Sequence, residues 1–270
     1  MTPKRIRNII IKEWRTLTGD ATTFLLIGLV PFMILGEAIV AIILIANIGG
    51  EAMAANTFFQ TAFEKLVAGI PGASGLGAVD QVRLLLLTQF NFFLLLIPTM
   101  IAIYSAAYSI VEEKVSHSLE PLLATPVRTW ELMLGKALAG AIPALIMTWL
   151  CAAIALPIVA VLGWGNLLDY IIGANWFLNL FLLTPGIAVL SFLLGVIGSS
   201  RAKDFRNAQN LVLFIIFPIF ALIAVQITGV IWFTPLYTLS LGIAILLIDM
   251  GVLRVAVRLF RRESILVRWR

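Results

Sequence analysis

Charged residues are scarce in this sequence, at 12% of its 270 positions, whereas hydrophobic residues make up 61%. Soluble domains have about 25% charged and about 45–50% apolar residues. Several apolar runs also exceed the ~20 residues that are needed to cross a bilayer. Because such runs have no polar face to present to water, the composition excludes a soluble protein with a buried helical core.

Cysteine and histidine occur once each, as Cys151 and His117. A single cysteine excludes an internal disulfide, and this pair offers neither a cysteine cluster nor a catalytic triad. There is no Walker A motif, because Gly135 and Lys136 lack the upstream glycine and the following Ser or Thr. We therefore expect that this chain is not an enzyme and that it holds no cofactor or metal of its own.

The apolar runs that are present predict an all-α integral membrane protein with about six transmembrane helices. We expect one transmembrane domain over residues 1–270. The predicted spans are residues 24–47, 84–111, 132–162, 176–198, 208–226 and 236–257.

Residues 1–20 are basic and predict an amphipathic helix. Its apolar side chains recur at helical spacing on one face, and they are Ile6, Ile9, Ile10, Trp14 and Leu17. Such a helix lies at the level of the lipid headgroups, with its cations toward anionic lipid. Docking on a soluble partner is the alternative.

The distribution of lysine and arginine predicts the orientation in the membrane. With six spans and both termini in the cytoplasm, only Lys65 and Arg83 lie outside, in agreement with the excess of basic residues in cytoplasmic loops. We expect a multi-pass protein of the cell membrane with cytoplasmic N- and C-termini.

Two carboxylates fall inside predicted spans. Glu37 lies near the middle of the first span, where an isolated charge is costly, so we expect it to face the bundle interior or a wet cavity. It would either contact substrate or protons, or fix the packing, and both interpretations are open. Asp249, near the end of the last span, could pair with Arg254 about one turn later.

Residues 112–131 form a central polar segment between the second and third spans, and the orientation places it in the cytoplasm. Pro121 and the Thr125–Pro126 pair predict that residues 119–124 form a short helix of their own. A small helix outside the membrane needs a groove for its leucines, which are Leu119, Leu122 and Leu123. We expect that this groove belongs to another protein.

Several short motifs between Glu112 and Lys136 resemble the signature of the type-2 family of ABC exporter permeases. They are Glu112-Glu-Lys114, Ser118-Leu-Glu120, Leu122-Leu-Ala-Thr-Pro126, Trp130-Glu131 and Gly135-Lys136. The amphipathic N-terminal helix and the six-span layout also fit, so the resemblance extends over essentially the whole chain. One departure is His117–Ser118, where the family usually has Gly–Thr.

The resemblance implies that residues 112–131 contain a coupling helix that docks on a separate ABC ATPase subunit, which binds ATP and Mg²⁺. It also implies a second permease half, giving a homodimer in a lipid bilayer. We expect no nucleic acid partner, because the Arg-rich tail from Arg254 to Arg270 follows a span and suits the surface of an anionic leaflet. The implied coupling residues are Glu112, Glu113, Lys114, Ser118, Leu119, Glu120, Leu122, Leu123, Thr125, Pro126 and Arg128. We place Glu37 on the substrate path between the halves.

The cargo and the direction of transport do not follow from the residues. Such apolar spans are compatible with lipids, drugs, peptides or glycolipids, and export rests on the resemblance. Two other classes remain open: an ATP-independent carrier or channel, and a membrane accessory protein that transports nothing.

Overall fold

The computed structural model describes residues 3–115, 129–201 and 211–259, and every long element in these ranges is a helix. The α-helices are α1 (Pro3–Gly19), α2 (Ala21–Ile48), α3 (Gly50–Ala55), α4 (Gln60–Gly69), α5 (Ala78–Phe93), α6 (Leu96–Val115), α7 (Thr129–Val159), α8 (Leu168–Ile171), α9 (Ala174–Leu178), α10 (Thr184–Arg201), α11 (Leu211–Ile227) and α12 (Pro235–Leu259).

Five helical stretches in the described residues are long and apolar enough to cross a membrane: Ala21–Ile48, Ala78–Ile110, Thr129–Ile171, Ala174–Ser199 and Pro235–Leu259. They confirm the prediction of an all-α, multi-pass membrane protein. The fifth predicted span corresponds to α11, which has 17 described residues, or about 26 Å of helix at ~1.5 Å per residue. The count of six spans therefore stays a prediction.

The second predicted span is divided into two helices, because α5 ends at Phe93 and α6 begins at Leu96. Pro98 explains the division. A proline has no N–H to donate to the carbonyl four residues earlier, here that of Leu94, and its ring crowds that carbonyl. The chain passes the break with tighter hydrogen bonds, such as that from the Leu95 N–H to the Phe92 carbonyl at 3.0 Å.

Two further spans depart from regular α-helix near proline. A π-helical turn over Asn179–Leu183 leads into α10, just before Pro185. Another, Ala160–Trp164, follows α7 shortly after Pro157 and contains Gly163 with φ of +82°. Glycine adopts this left-handed conformation without the steric cost that a Cβ imposes, so the chain can turn there.

Helix α6 lies at the centre of the bundle, where it packs along α10 and against α7. Gly140 of α7 makes this packing close, because a Cβ there would lie 2.4 Å from the Phe192 ring and 3.3 Å from the Ser105 Cβ. Helix α1 crosses the beginning of α7, and α12 lies against α10. The α1 end of the bundle is thus formed by the C-terminal part of α6 and the N-terminal part of α7.

The prediction that Asp249 could pair with Arg254 is wrong. Asp249 is 7% exposed, and neither of its carboxylate oxygens has a hydrogen-bond partner in the described part of the chain. Arg254 is exposed. Residues five apart on a helix lie about 140° apart around its axis, so the two side chains occupy different faces of α12.

Candidate functional site: a buried ion cluster beside the central polar segment

Helix α1 packs closely on α7 just after the central polar segment. A Cβ on Gly135 would lie 2.9 Å from the Cγ2 of Ile9, so the absence of a side chain at Gly135 lets the two helices approach. One turn farther along each helix, the Trp14 indole Nε1 donates to the Ala139 carbonyl at 2.9 Å. Arg5 adds an ion pair with Glu131 at 3.8 Å.

A lysine on α7 is the centre of a charged cluster at this crossing. Lys136 is 1% exposed, and its Nζ lies 3.0 Å from Glu13 Oε1, 2.8 Å from Glu113 Oε1 and 2.6 Å from Ser109 Oγ. A lysine ammonium carries three protons. Three oxygen atoms, contributed by α1 and α6, therefore match its three protons.

The other contacts complete the cluster, which consists of Lys12, Glu13, Ser109, Glu113 and Lys136. The Ser109 hydroxyl donates to Glu13 Oε2 at 2.7 Å. The Lys12 ammonium, which is half-exposed, lies 3.0 Å from Glu113 Oε1 and 3.5 Å from Glu13 Oε1. Two ammonium groups face two carboxylates, so the formal charges cancel inside the cluster.

The electrostatics of the cluster favour the ionised forms of its α1 residues. Burial by itself would raise the pKa of the Glu13 carboxyl, but Lys136, the Ser109 hydroxyl and Lys12 outweigh it and hold that pKa below its ordinary value. For Lys12, burial would lower the pKa, yet Glu113 and Glu13 together raise it. Charged hydrogen bonds of this kind are stronger than neutral ones.

The cluster joins three helices at one point: Lys12 and Glu13 lie on α1, Ser109 and Glu113 on α6, and Lys136 on α7. Helices α6 and α7 lead into and out of the central polar segment. Removal of one partner from a buried ion pair leaves an uncompensated charge and costs ~3–5 kcal/mol. The ends of both flanking helices are therefore held to each other and to α1.

Most of the predicted coupling residues cannot be placed. Ser118, Leu119, Glu120, Leu122, Leu123, Thr125, Pro126 and Arg128 lie outside the described residues. Glu112, Glu113 and Lys114 lie in the last turns of α6. The Glu113 side chain is 4% exposed, and its carboxylate binds the two lysines of the cluster.

Glu37 does not face the interior of this chain's bundle, which was one of its two expected environments. It is exposed on α2, while its neighbour Ala38 and the nearby Leu35 are buried. Exposed apolar side chains surround this face of α2, including Met33 and Val40. Its role on a substrate path stays a prediction.

Sequence reasoning did not identify Glu13, Ser109 and Lys136 as partners, although a signal was present. Glu13 follows Ile6 and Ile9 and precedes Leu17 at helical spacing, so it lies on the apolar face of α1. Lys136 is the one charged residue in the predicted third span. An acid and a base, each placed among apolar residues, need each other to be buried.

The described residues contain no group of three or more His, Cys, Asp or Glu side chains that could hold a metal ion. The cluster fits a mechanical task, because its charges neutralise one another and bind three helices.

Residues 80–257 match the protein family described as ABC-2 family transporter protein. The match covers 178 of the 270 residues, about two-thirds of the chain. This chain belongs to the ABC-2 transporter family. Neither the curated proteins nor the solved structures that were searched contain a match.

The ABC-2 match runs from α5 to α12, so it includes the central polar segment and three members of the cluster, Ser109, Glu113 and Lys136. The chain is accordingly an ABC-2 type permease, the kind of subunit that forms the transmembrane component of an ABC transporter. Proteins of this family pair in general with an ABC ATPase.

Proposed function

We propose that this ABC-2 permease is the membrane-spanning half of an ATP-driven exporter, and that its central polar segment receives motion from a separate ATPase subunit. That subunit binds ATP and Mg²⁺. Both termini and the segment lie in the cytoplasm, and α1 lies at the inner surface of the cell membrane. The observation that carries the proposal is the buried ion cluster, because it joins both helices that flank the segment.

The mechanism follows from the rigidity of this junction. Leu119, Leu122 and Leu123 bury in a groove of the ATPase, and Glu112, Glu120 and Arg128 form charge pairs around it. When two ATPase subunits close on ATP, the docked segment moves. Because the cluster ties the ends of α6 and α7 together, the two helices follow as one body, and α10 moves with α6.

The role of Glu113 within this mechanism is to hold the junction. Its carboxylate lies within 3.0 Å of the Lys12 and Lys136 ammonium groups. Contact with the ATPase would require the breaking of both ion pairs, which leaves buried charges uncompensated. Glu113 therefore acts through the position of α6.

The exposed face of α2 supports the assembly of two permease halves. Glu37 lies there, and a carboxylate that faces lipid at the middle of a span is costly. A second copy of the chain, facing this helix, would enclose Glu37 in a shared path for a lipid, drug, peptide or glycolipid cargo.

One experiment tests the coupling role. The Leu122→Asp, Leu123→Asp double variant places two charges in the ATPase groove, so we expect loss of ATPase co-purification and of ATP-driven transport. Leu122→Met with Leu123→Met keeps the apolar volume and is the matched control. Unchanged ATPase binding and transport in the Asp variant would contradict the proposal, as would labelling of Leu122→Cys from outside the cell.

Reconstitution separates this function from the alternatives. The purified permease alone, in vesicles with an ion gradient and no ATP, should give no flux. Flux under these conditions would favour a carrier or channel, whereas binding of the ATPase without flux under any condition would favour an accessory protein.

A further inference from the structure

A polar cavity of about 230 Å³ lies at the end of the bundle opposite α1. Its wall is formed by the end of α4, the last turns of α5, the region around α9, the end of α11 and the beginning of α12. Two of the irregular backbone regions border it: the break after α5, and the π-helical turn that begins at Asn179. Irregular backbone inside a membrane bundle is tolerated where it lines a cavity or is buried in protein.

Three amide side chains in this wall are buried and incompletely hydrogen-bonded. Asn91 of α5 is 8% exposed, Asn179 is 2% exposed and Gln226 of α11 is 3% exposed. The amide oxygen of each has no hydrogen-bond partner among the protein atoms of the described residues. Buried polar side chains in native proteins are almost always paired. Other unpartnered atoms, such as Ser105 Oγ and Ser191 Oγ, occur elsewhere in the described residues, but these three amides line one cavity, and their grouping points to a ligand.

A fourth amide in the same wall, that of Asn175, has hydrogen-bond partners for both its nitrogen and its oxygen. Asn175 donates to the Phe233 carbonyl, and its own oxygen accepts from the Thr238 hydroxyl at 2.6 Å. Asn175 therefore ties α9 to the beginning of α12. Asn91, Asn179 and Gln226 have no comparable structural task for their oxygens.

The chemistry of the wall selects the class of ligand. Among the described residues that line the cavity there is no Asp, Glu, Lys, Arg or His, so the wall supplies no charge to balance an ion. Amides and hydroxyls both donate and accept hydrogen bonds. Aromatic rings supply flat apolar surface, and four aromatic residues line the cavity: Phe92, Tyr170, Trp232 and Phe233.

A neutral sugar or polyol combines these properties, since its hydroxyls donate and accept while its C–H faces are apolar. A bare monovalent cation would fill a small part of the volume, and its charge would have no carboxylate in the wall to balance it. We propose that this cavity binds one neutral, polyhydroxylated ring, either as a free sugar or as the headgroup of a glycolipid. The proposal is independent of ATPase coupling, which concerns the other end of the molecule.

The test uses the full-length chain in two arms. In detergent, saturation-transfer difference NMR with methyl β-glucopyranoside reports binding of a free sugar. In phosphatidylglycerol nanodiscs with added monoglucosyl diacylglycerol, native mass spectrometry reports retention of the glycolipid. We expect signal in at least one arm, and the arm that responds identifies the source of the sugar.

Two variants locate the binding site. Gln226→Leu and Asn91→Leu should each reduce the signal at least fivefold, because each removes an amide from the wall. Gln60→Leu, at the exposed start of α4, makes the same chemical change outside the cavity and should bind as the unaltered chain does. No signal in either arm, or equal binding by all variants, would overturn the proposal.

A competition experiment with the unaltered chain keeps the proposal falsifiable even if a variant does not fold. A methyl glucuronide carries a carboxylate in place of one hydroxymethyl group. Because the wall offers no cation, the glucuronide should bind at least tenfold more weakly than the neutral glucoside. Equal binding of the two would contradict the neutral class of ligand.

Discussion

The two ends of this bundle bury polar groups in opposite ways. At the α1 end, two lysines, two glutamates and a serine lie within hydrogen-bond distance of one another, and within this cluster only Glu113 Oε2 has no partner in the described residues. At the opposite end, Asn91, Asn179 and Gln226 leave their amide oxygens unpaired. Paired charges in a buried network hold one arrangement of helices, whereas a buried polar group without a partner is costly unless a ligand pairs with it. The comparison indicates that the first end holds the fold together and that the second binds a ligand.

The largest expected effect on stability comes from a substitution that disrupts the buried ion cluster. Lys136→Met keeps most of the side-chain volume but leaves Glu13 and Glu113 with only Lys12, so we expect a loss of ~3–5 kcal/mol in the free energy of unfolding. Unfolding in mixed micelles by titration with SDS measures it. Lys4→Met, at an exposed position of α1, is the control and should change stability by less than ~0.5 kcal/mol.

A double variant sharpens this prediction. Glu13→Gln combined with Lys136→Met leaves Lys12 and Glu113 as a neutral pair. The two substitutions should therefore be less destabilising together than the sum of the single effects. Simple additivity would show that Glu13 and Lys136 do not interact.

The second expected effect is a dependence on pH. The pKa of Glu13 is held below its ordinary value of 4.5, so its stabilising contribution is present above that pH and is lost as pH falls through the lowered pKa. The pKa of Lys12 is raised above 10.5; its contribution is present below pH 10.5 and is lost as pH rises through the raised pKa. We expect α1 to stay docked between about pH 5 and pH 10.

A spin label on the exposed Asn8→Cys position would report this docking through its mobility. Mobility should rise as the pH falls through the lowered pKa of Glu13, and the same label in a Glu13→Gln background should show no acid transition that arises from residue 13. A mobility that is constant down to pH 2 would contradict the role of the Glu13 carboxylate.

A smaller effect is expected from the single hydrogen bond between Trp14 and Ala139. Trp14→Phe removes the donor and part of the ring, which should cost about 1 kcal/mol. The measurement is again SDS titration, with Trp149→Phe as a second variant, since that indole donates to the Leu180 carbonyl at 3.0 Å at a different helix contact. The spin label at Asn8→Cys should become more mobile in Trp14→Phe alone, and an equal rise in both variants would contradict a local role for Trp14.

The smallest expected effect on stability comes from a substitution in the wall of the cavity. Asn91→Leu replaces an amide whose oxygen has no partner, so without ligand the free energy of unfolding should change by less than ~0.5 kcal/mol or rise slightly. A loss comparable to that of Lys136→Met would show that Asn91 is structurally paired, and it would remove the contrast between the two ends.

The fold class and most of the spans could be predicted from the sequence, because long apolar runs have few structural solutions in a membrane. The break after Phe93 was not predicted, although Pro98 was present, because a proline inside a span can also be accommodated as a kink. The amphipathic character of residues 3–19 was visible. Its contact with α7 depends on Gly135, whose importance appears only when Ile9 is placed against it.

The candidate site shows a similar division. The position of the central polar segment between two spans followed from hydropathy. The partners of Glu113 did not, because Lys12 lies 101 residues away in sequence and Lys136 lies on the far side of the segment. Pairing of Asp249 with Arg254 was expected from proximity along the chain, and it failed because burial depends on the helix face. The polar cavity combines side chains from five separate regions, and no local pattern marks it.

The break between α5 and α6 separates two helices that can tilt independently of each other. A continuous helix would carry a tilt along its whole length, but this one can bend where Pro98 offers no N–H to the Leu94 carbonyl. Motion that enters at the Val115 end can thus be shared with α7 and α10, while α5 keeps its contacts with α2 and α3. In the proposed mechanism this break would serve as a hinge, whereas an unbroken rod would force both membrane surfaces to move together.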